Sequence, residues 1–289
     1  MTDEIGSALS KLGLGAEGLV QHELVHPSQA LQQVRDLGAR EESFSIGLPS
    51  VNACLLPFGP GEFVMVQGYA HSGKTYLMLS AVAQQLNRRV LWITPDEPAS
   101  LVHRRLISIL TGMGTHELWA GLQEGNQAIC AAADAWTEVI GKAFLMVDEP
   151  VGISELNALV DQATNFWQAP PDVLVFDYLE CLPHHPDRSG TLAMSFKMWA
   201  KPKPFPTVVL HQASRQHGAK GQRMEMWSGN QGGERESLVL IGVSRPGEEP
   251  DSDVGPDVVE VNIIKNKHTG QKVTAYCHQD PITGKITEE

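Results

Sequence analysis

The chain has 289 residues, 42% of them hydrophobic, which is enough to bury one substantial core and excludes a disordered or peptide-scale chain. Its 22 basic and 34 acidic side chains leave a net charge of −12, which excludes a protein held to nucleic acid by overall charge; any polyanion contact has to be local. No apolar run approaches the ~20 residues of a membrane span, no basic-then-apolar leader is present, and the four scattered cysteines form no C-x-x-C pair, so a reducing cytoplasm is expected, without membrane, zinc site or disulfide framework.

Residues 1–43 are polar, and Ala30, Leu31, Val34 and Leu37 mark a loosely amphipathic run from His26 to Arg40, bounded by Gly38. This extension can bury little, which leaves residues 44–289 as the main domain. From Phe63 onward short apolar runs follow one another: Phe63–Val66, Val90–Ile93, Phe144–Val147, Val173–Phe176, Thr207–Leu210, Leu238–Val243 and Val258–Ile264. Unbroken rather than alternating runs are strands covered on both faces, as in a parallel sheet. Between them Thr75–Leu86, Ser100–Leu110, Ala128–Ile140 and Ile153–Phe166 read as helices, so the chain is a three-layer α/β protein. Beyond Leu238 the strands lack intervening helices, and the far edge of the sheet is expected to be antiparallel. Pro183–Thr191 and Ala213–Glu236 fit no element, and a loop as long as the second is usually functional.

The strongest motif is Gly68-Tyr-Ala-His71-Ser72-Gly73-Lys74-Thr75, a G-x-x-x-x-G-K-T phosphate loop between a strand and a helix. The glycines let backbone N–H groups curl around phosphates, the lysine reaches the β and γ oxygens, and the hydroxyl holds Mg²⁺. A carboxylate must orient the hydrated metal. Asp177 follows the apolar run Val173–Phe176 and so emerges at the carboxyl edge of the sheet, with Asp148 after Phe144–Val147 as its rival. Thr94-Pro95-Asp96-Glu97-Pro98 ends the run Val90–Ile93 and places two acids beside the phosphate loop if that strand neighbours the first. Either acid suits the orientation or deprotonation of an attacking water, and either suits capping of the helix that follows.

The order of these pieces resembles the RecA-like motor core of the DnaB family of hexameric replicative helicases, and small plasmid RepA-type helicases are similar. The likeness spans about residues 44–278. Phe44–Glu62 is similar to the family's lead-in, Asp177-Tyr178-Leu179 to its metal-binding turn, and Val208–Arg215 to its S-Q-x-x-R strand end. Ile263–Gly270 is similar to its K-x-R-x-G segment, with the glycine displaced by one. The resemblance implies a RecA-like P-loop NTPase core with a mostly parallel sheet, an ATPase using ATP and Mg²⁺, and DNA unwinding or translocation in replication. It implies that Gly68, His71, Ser72, Gly73, Lys74 and Thr75 bind nucleotide, that Thr75 and Asp177 bind metal, and that Asp96 or Glu97 is the catalytic acid. Gln212 becomes the γ-phosphate sensor, and Lys265 and Lys267 act on the neighbouring subunit's nucleotide. Two departures stand out: Asp96 occupies the register of the family's glutamate, and Lys267 that of its arginine finger, where a point charge replaces a planar fork.

The family's channel loops hold single-stranded DNA, which assigns that role to the cations of the two unplaced stretches, Arg188 in one and Arg215, Lys220 and Arg223 in the other. Trp227 is placed to stack on a base. The implied partners are single-stranded DNA, replication proteins and further copies of the chain in a hexameric ring, with residues 26–40 packing as a linker helix. Small stand-alone cores of this kind point to a phage or plasmid origin and the host cytoplasm. Three alternatives remain: a RecA-type recombination ATPase, a nuclease using Asp148, Glu149, Asp177 and Glu180, and a loader that binds ATP without turning it over.

Overall fold

The strands are β1 (Phe63–Gly68), β2 (Val90–Ile93), β3 (Phe144–Val147), β4 (Val173–Phe176), β5 (Thr207–Gln212), β6 (Val239–Ser244), β7 (Val258–Asn266), β8 (Thr274–Gln279) and β9 (Ile286–Glu288). They form one sheet in the order β3-β2-β4-β5-β1-β6-β7-β8-β9. The computed structural model describes residues 27–39, 44–182, 189–214, 221–228, 235–249 and 252–288, in two units, Met1–Glu41 and Glu42–Glu289. In the first unit the helix Pro27–Ala39 covers the amphipathic run, with Gln32 donating to Asp36 at 2.8 Å.

In the second unit β3, β2, β4, β5, β1 and β6 are mutually parallel, and β7, β8 and β9 add antiparallel pairs. The far edge therefore has the expected sense. Successive residues of a strand point to opposite faces, and both faces are covered here. Val64, Val66, Trp92, Val173 and Val175 enter one apolar cluster, with the helices Lys74–Ala83, Ala99–Thr111 and Gln127–Ile140. Phe63, Met65, Leu91, Leu174 and Phe176 enter the other, with the helices Leu156–Trp167 and Ser189–Ala200. Phe176 and Phe196 are fully buried and meet edge to face at 5.2 Å between ring centres, each contributing roughly 2–3 kcal/mol of burial free energy.

Strand order corrects one expectation. β2 is not beside β1; β4 and β5 lie between them. All four are parallel, however, so their carboxyl ends open on one edge, where ligands bind in such sheets.

Candidate functional site

At that edge β1 runs into the phosphate loop. Gly73 has φ 104°, a left-handed conformation that costs glycine nothing. At Gly68 the constraint is space: a Cβ there would lie 2.3 Å from Ser72 Oγ and 2.4 Å from the Val243 carbonyl, so the loop can fold tightly only without a side chain. The helix Lys74–Ala83 has no side-chain cap, which leaves first-turn N–H groups as an anion site reinforced by the helix dipole. Ser72 Oγ is buried without a hydrogen-bond partner among the described residues. Lys74 Nζ donates to the carbonyls of Gly68 and Tyr69 at 2.9 Å each, acceptors that satisfy the ammonium as phosphate oxygens would. Burial pulls the Lys74 ammonium down to about 8, against the opposing charges of Asp177 and Glu180.

The loop forms one wall of a cleft of about 470 Å³, within the range of small-molecule sites. Asp96, Glu97, Asp177 and Gln212 line it together with Lys74 and Thr75, so residues from four strand ends converge there. Thr75 Oγ1 donates to Asp177 Oδ2 at 2.8 Å. Burial drives the Asp177 carboxyl up to about 6, with Glu97 adding to the rise and the Thr75 hydrogen bond, Lys74 and Arg105 opposing it. A hydroxyl and a carboxylate this close are hard oxygen donors that fit Mg²⁺ shared with phosphates, and a cation there would relieve the cost of ionising Asp177.

Asp96 and Glu97 reach the cleft although two strands separate β2 from β1, because the turn that carries them projects beyond the strand end. Thr94 Oγ1 closes that turn on the Glu97 carbonyl at 3.1 Å. Asp96 is exposed at the rim. Glu97 accepts from both terminal nitrogens of Arg105, the second at 2.9 Å, and the Arg105 guanidinium lies 5.2 Å from the centre of the Tyr76 ring. Neither acid caps the helix Ala99–Thr111. That role falls to Asp148, which accepts from Ala99 N–H at 2.8 Å.

Two cleft cations escaped the sequence reading. Arg105 follows Glu97 by eight residues, two turns into a helix, where a basic residue is ordinarily solvated. Arg245 stands just past β6 and lines the cleft; it donates to the His71 carbonyl at 3.0 Å and to Gln279. The rule that selected Asp177, a polar residue just past an apolar strand, also selects Arg245.

The remaining assigned residues lie outside the set that lines the cleft. Lys265 Nζ donates to the Arg235 carbonyl at 2.7 Å, whereas Lys267 is exposed on a closely tied turn. There Asn266 Nδ2 donates to the Cys54 and Gln271 carbonyls and to Thr269, and Asn266 Oδ1 accepts from the N–H groups of His268 and Thr269. His268 Nε2 lies 3.0 Å from Glu62 Oε1. Arg223 is paired with Glu260 at 2.7 Å and reaches the Tyr276 hydroxyl at 3.1 Å, so its charge is matched within the chain. Trp227 is 64% exposed. Arg188, Arg215 and Lys220 lie outside the described residues. Among the described residues no three His, Cys, Asp or Glu side chains gather as a metal-holding group, and no helix is long and apolar enough to cross a membrane.

Residues 44–276 match the family model of the DnaB-like helicase C-terminal domain. No curated protein matches the chain. Among solved structures it is similar to the ATPase domain of a phage helicase, with a TM-score of 0.78 at 15% identity over 92% of this chain and 100% of that one. A DnaB-like replicative helicase, described with its interactions with primase, gives 0.72 at 16% identity over 99% of this chain and 72% of that one. The RadB recombinase gives 0.54 at 15% identity over 85% and 99%, and these likenesses identify the sheet and its flanking helices as a RecA-like core. The match over most of its length places this chain in the DnaB-like helicase C-terminal domain family.

Proposed function

We propose that the protein is an ATP-driven helicase or translocase acting on single-stranded DNA in replication, working as a homo-oligomeric ring. The observation that carries this reading is the convergence of Lys74, Thr75, Asp177, the Asp96–Glu97 pair and Gln212 on one cleft. Lys74 exchanges its loop carbonyls for the β and γ phosphate oxygens. Thr75 and Asp177 would hold Mg²⁺, which when bound neutralises phosphate charge. The Asp96–Glu97 pair orients and deprotonates the attacking water, with Arg105 fixing Glu97. Gln212 reads the γ-phosphate from the tip of β5, and the segment that follows carries the reading towards DNA.

Lys267 is the cation offered to a neighbouring subunit. Its turn is fastened by Asn266 while its own side chain extends to solvent, the arrangement a donated charge requires. Lys265, tied to the Arg235 carbonyl, braces the strand behind it. DNA contact rests on Arg188, Arg215 and Lys220, since Arg223 is already matched by Glu260. A nuclease reading has less support, because Asp148 serves as a helix cap and Glu180 is engaged at the end of β5.

The test is ATP hydrolysis by the purified full chain with and without single-stranded DNA, alongside strand separation on a forked duplex. The expected result is DNA-stimulated turnover, lost in Lys74→Ala without loss of fold. Duplex separation distinguishes this activity from filament formation on single strands, and cleavage that survives Lys74→Ala would overturn the proposal.

A further inference from the structure

Hydrogen-bonded pairing between β4 and β5 stops at Phe176 and Val209, before either strand delivers its cleft residue. Beyond that point the two strand ends are joined by a side chain. Glu180, in the short turn Leu179–Cys181 after Asp177, accepts from the backbone N–H of Gln212 at 3.3 Å to each oxygen. Its Oε1 also lies 2.7 Å from Nδ1 of His211, a side chain with 0% exposure, while Glu180 itself is 16% exposed. A carboxylate and an imidazole this far from water are costly where two apolar side chains would pack equally well, so their presence calls for a geometric role.

The other flank of the same strand end leads to the phosphate loop. Ala213 N–H donates to the Gly68 carbonyl at 3.0 Å, and that oxygen also accepts from Lys74 Nζ. Gln212 is thus held between the metal-side turn, through Glu180, and the phosphate loop, through its neighbour Ala213. Ser214 N–H donates to the Ser228 carbonyl at 2.9 Å, which ties the next residue to the far end of the long loop. Any movement of the turn bearing Asp177 and Glu180 is passed to the tip of β5 through the Glu180 carboxylate.

We propose that Glu180, seated on His211, is a positioning residue that couples the nucleotide cleft to the DNA-contacting loop by carrying the end of β5 along with the Asp177 turn. This rests on the helicase reading above and names the link within that site. A residue that only supported the fold would change stability without changing the communication between ligands, whereas a coupling residue changes the difference in affinity that one ligand imposes on the other.

The experiment measures single-stranded DNA affinity of the full chain by fluorescence anisotropy, with a non-hydrolysable ATP analogue and with ADP, for the unaltered protein, Glu180→Gln, His211→Leu and His211→Asn. Melting temperature and steady-state kcat and KM for ATP are recorded on the same samples. The ratio of the two DNA affinities is expected to fall at least fivefold in Glu180→Gln and His211→Leu, with KM within about threefold and the folded state retained. It should recover in His211→Asn, whose amide nitrogen replaces Nδ1. Hydrogen exchange on the unaltered chain adds a reading that needs no variant: the analogue should change protection of the peptides spanning 177–182 and 207–214 together. A folded Glu180→Gln with an unaltered ratio, or exchange in which only one of the two peptides responds, overturns the proposal. If the unaltered protein itself shows no nucleotide-dependent DNA affinity, the helicase reading fails and this proposal fails with it.

Discussion

At the scale of single residues, Lys74 sets a pH limit. Its ammonium is held near 8 by burial in the ligand-free cleft, while a triphosphate favours the charged form. Above pH 8 nucleotide binding must therefore take up a proton, and affinity is expected to weaken by up to tenfold per pH unit. Below pH 8 the lysine is already charged and this dependence is absent. Titration with a fluorescent nucleotide from pH 7 to 9.5 checks the slope, and Lys74→Arg, charged throughout the range, should flatten it. The cleft residues that were legible in the sequence, Lys74, Thr75 and Asp177, owe their chemistry to spacing within one strand–turn–helix unit or to a strand end. Arg105, Glu180 and His211 were not legible in the same way, because their meaning lies in partners chosen by tertiary packing. A basic residue inside a helix and a histidine inside a strand carry no local sign of the carboxylate each will meet.

At the scale of elements, the hairpin joining β8 to β9 supports the cleft from behind. Gly284 has φ 78°, and a Cβ there would lie 2.1 Å from Tyr76 Cε1. Tyr76 in turn lies beneath the guanidinium that holds Glu97. Gly284→Ala combines backbone strain with a clash and is expected to cost about 2 kcal/mol. Thermal denaturation checks this, and kcat should fall with it, since the displaced ring disturbs Arg105. This hairpin was invisible in the sequence for a physical reason: β8 alternates buried and exposed positions over six residues and β9 has only three, too short for a periodicity to register. The helix Thr115–Glu124 escaped similarly, with only Leu118 and Gly121 buried. β2, β3 and β4 were read to the residue because unbroken apolar runs leave little choice. Their order in the sheet was not legible, since crossovers that skip a neighbour are settled by helix packing on the two faces.

At the scale of the whole molecule, the separation between the cleft and Lys267 carries the argument for a ring. If Lys267 serves the adjoining protomer, Lys74→Ala and Lys267→Ala should each be inactive alone. An equimolar mixture forms sites in which one subunit brings the intact cleft and its neighbour the intact lysine, and random assembly restores up to about a quarter of the sites. Steady-state ATP turnover of the mixed and unmixed samples decides the matter: no recovery on mixing would place Lys267 in the service of its own cleft or of none. Lys267→Arg in the same assay should equal or exceed the lysine if a planar fork grips the phosphate better.

The tryptophans supply two optical channels for following such a motor. Trp92 is fully buried in β2 and Trp227 is 64% exposed beside the long loop. Emission from the first is blue-shifted and reports melting of the sheet, whereas the second emits as a hydrated indole open to quenching by a stacked base. Subtracting the spectrum of Trp227→Phe isolates the loop signal, so strand engagement can be timed by stopped flow on unlabelled protein during a single round of ATP turnover.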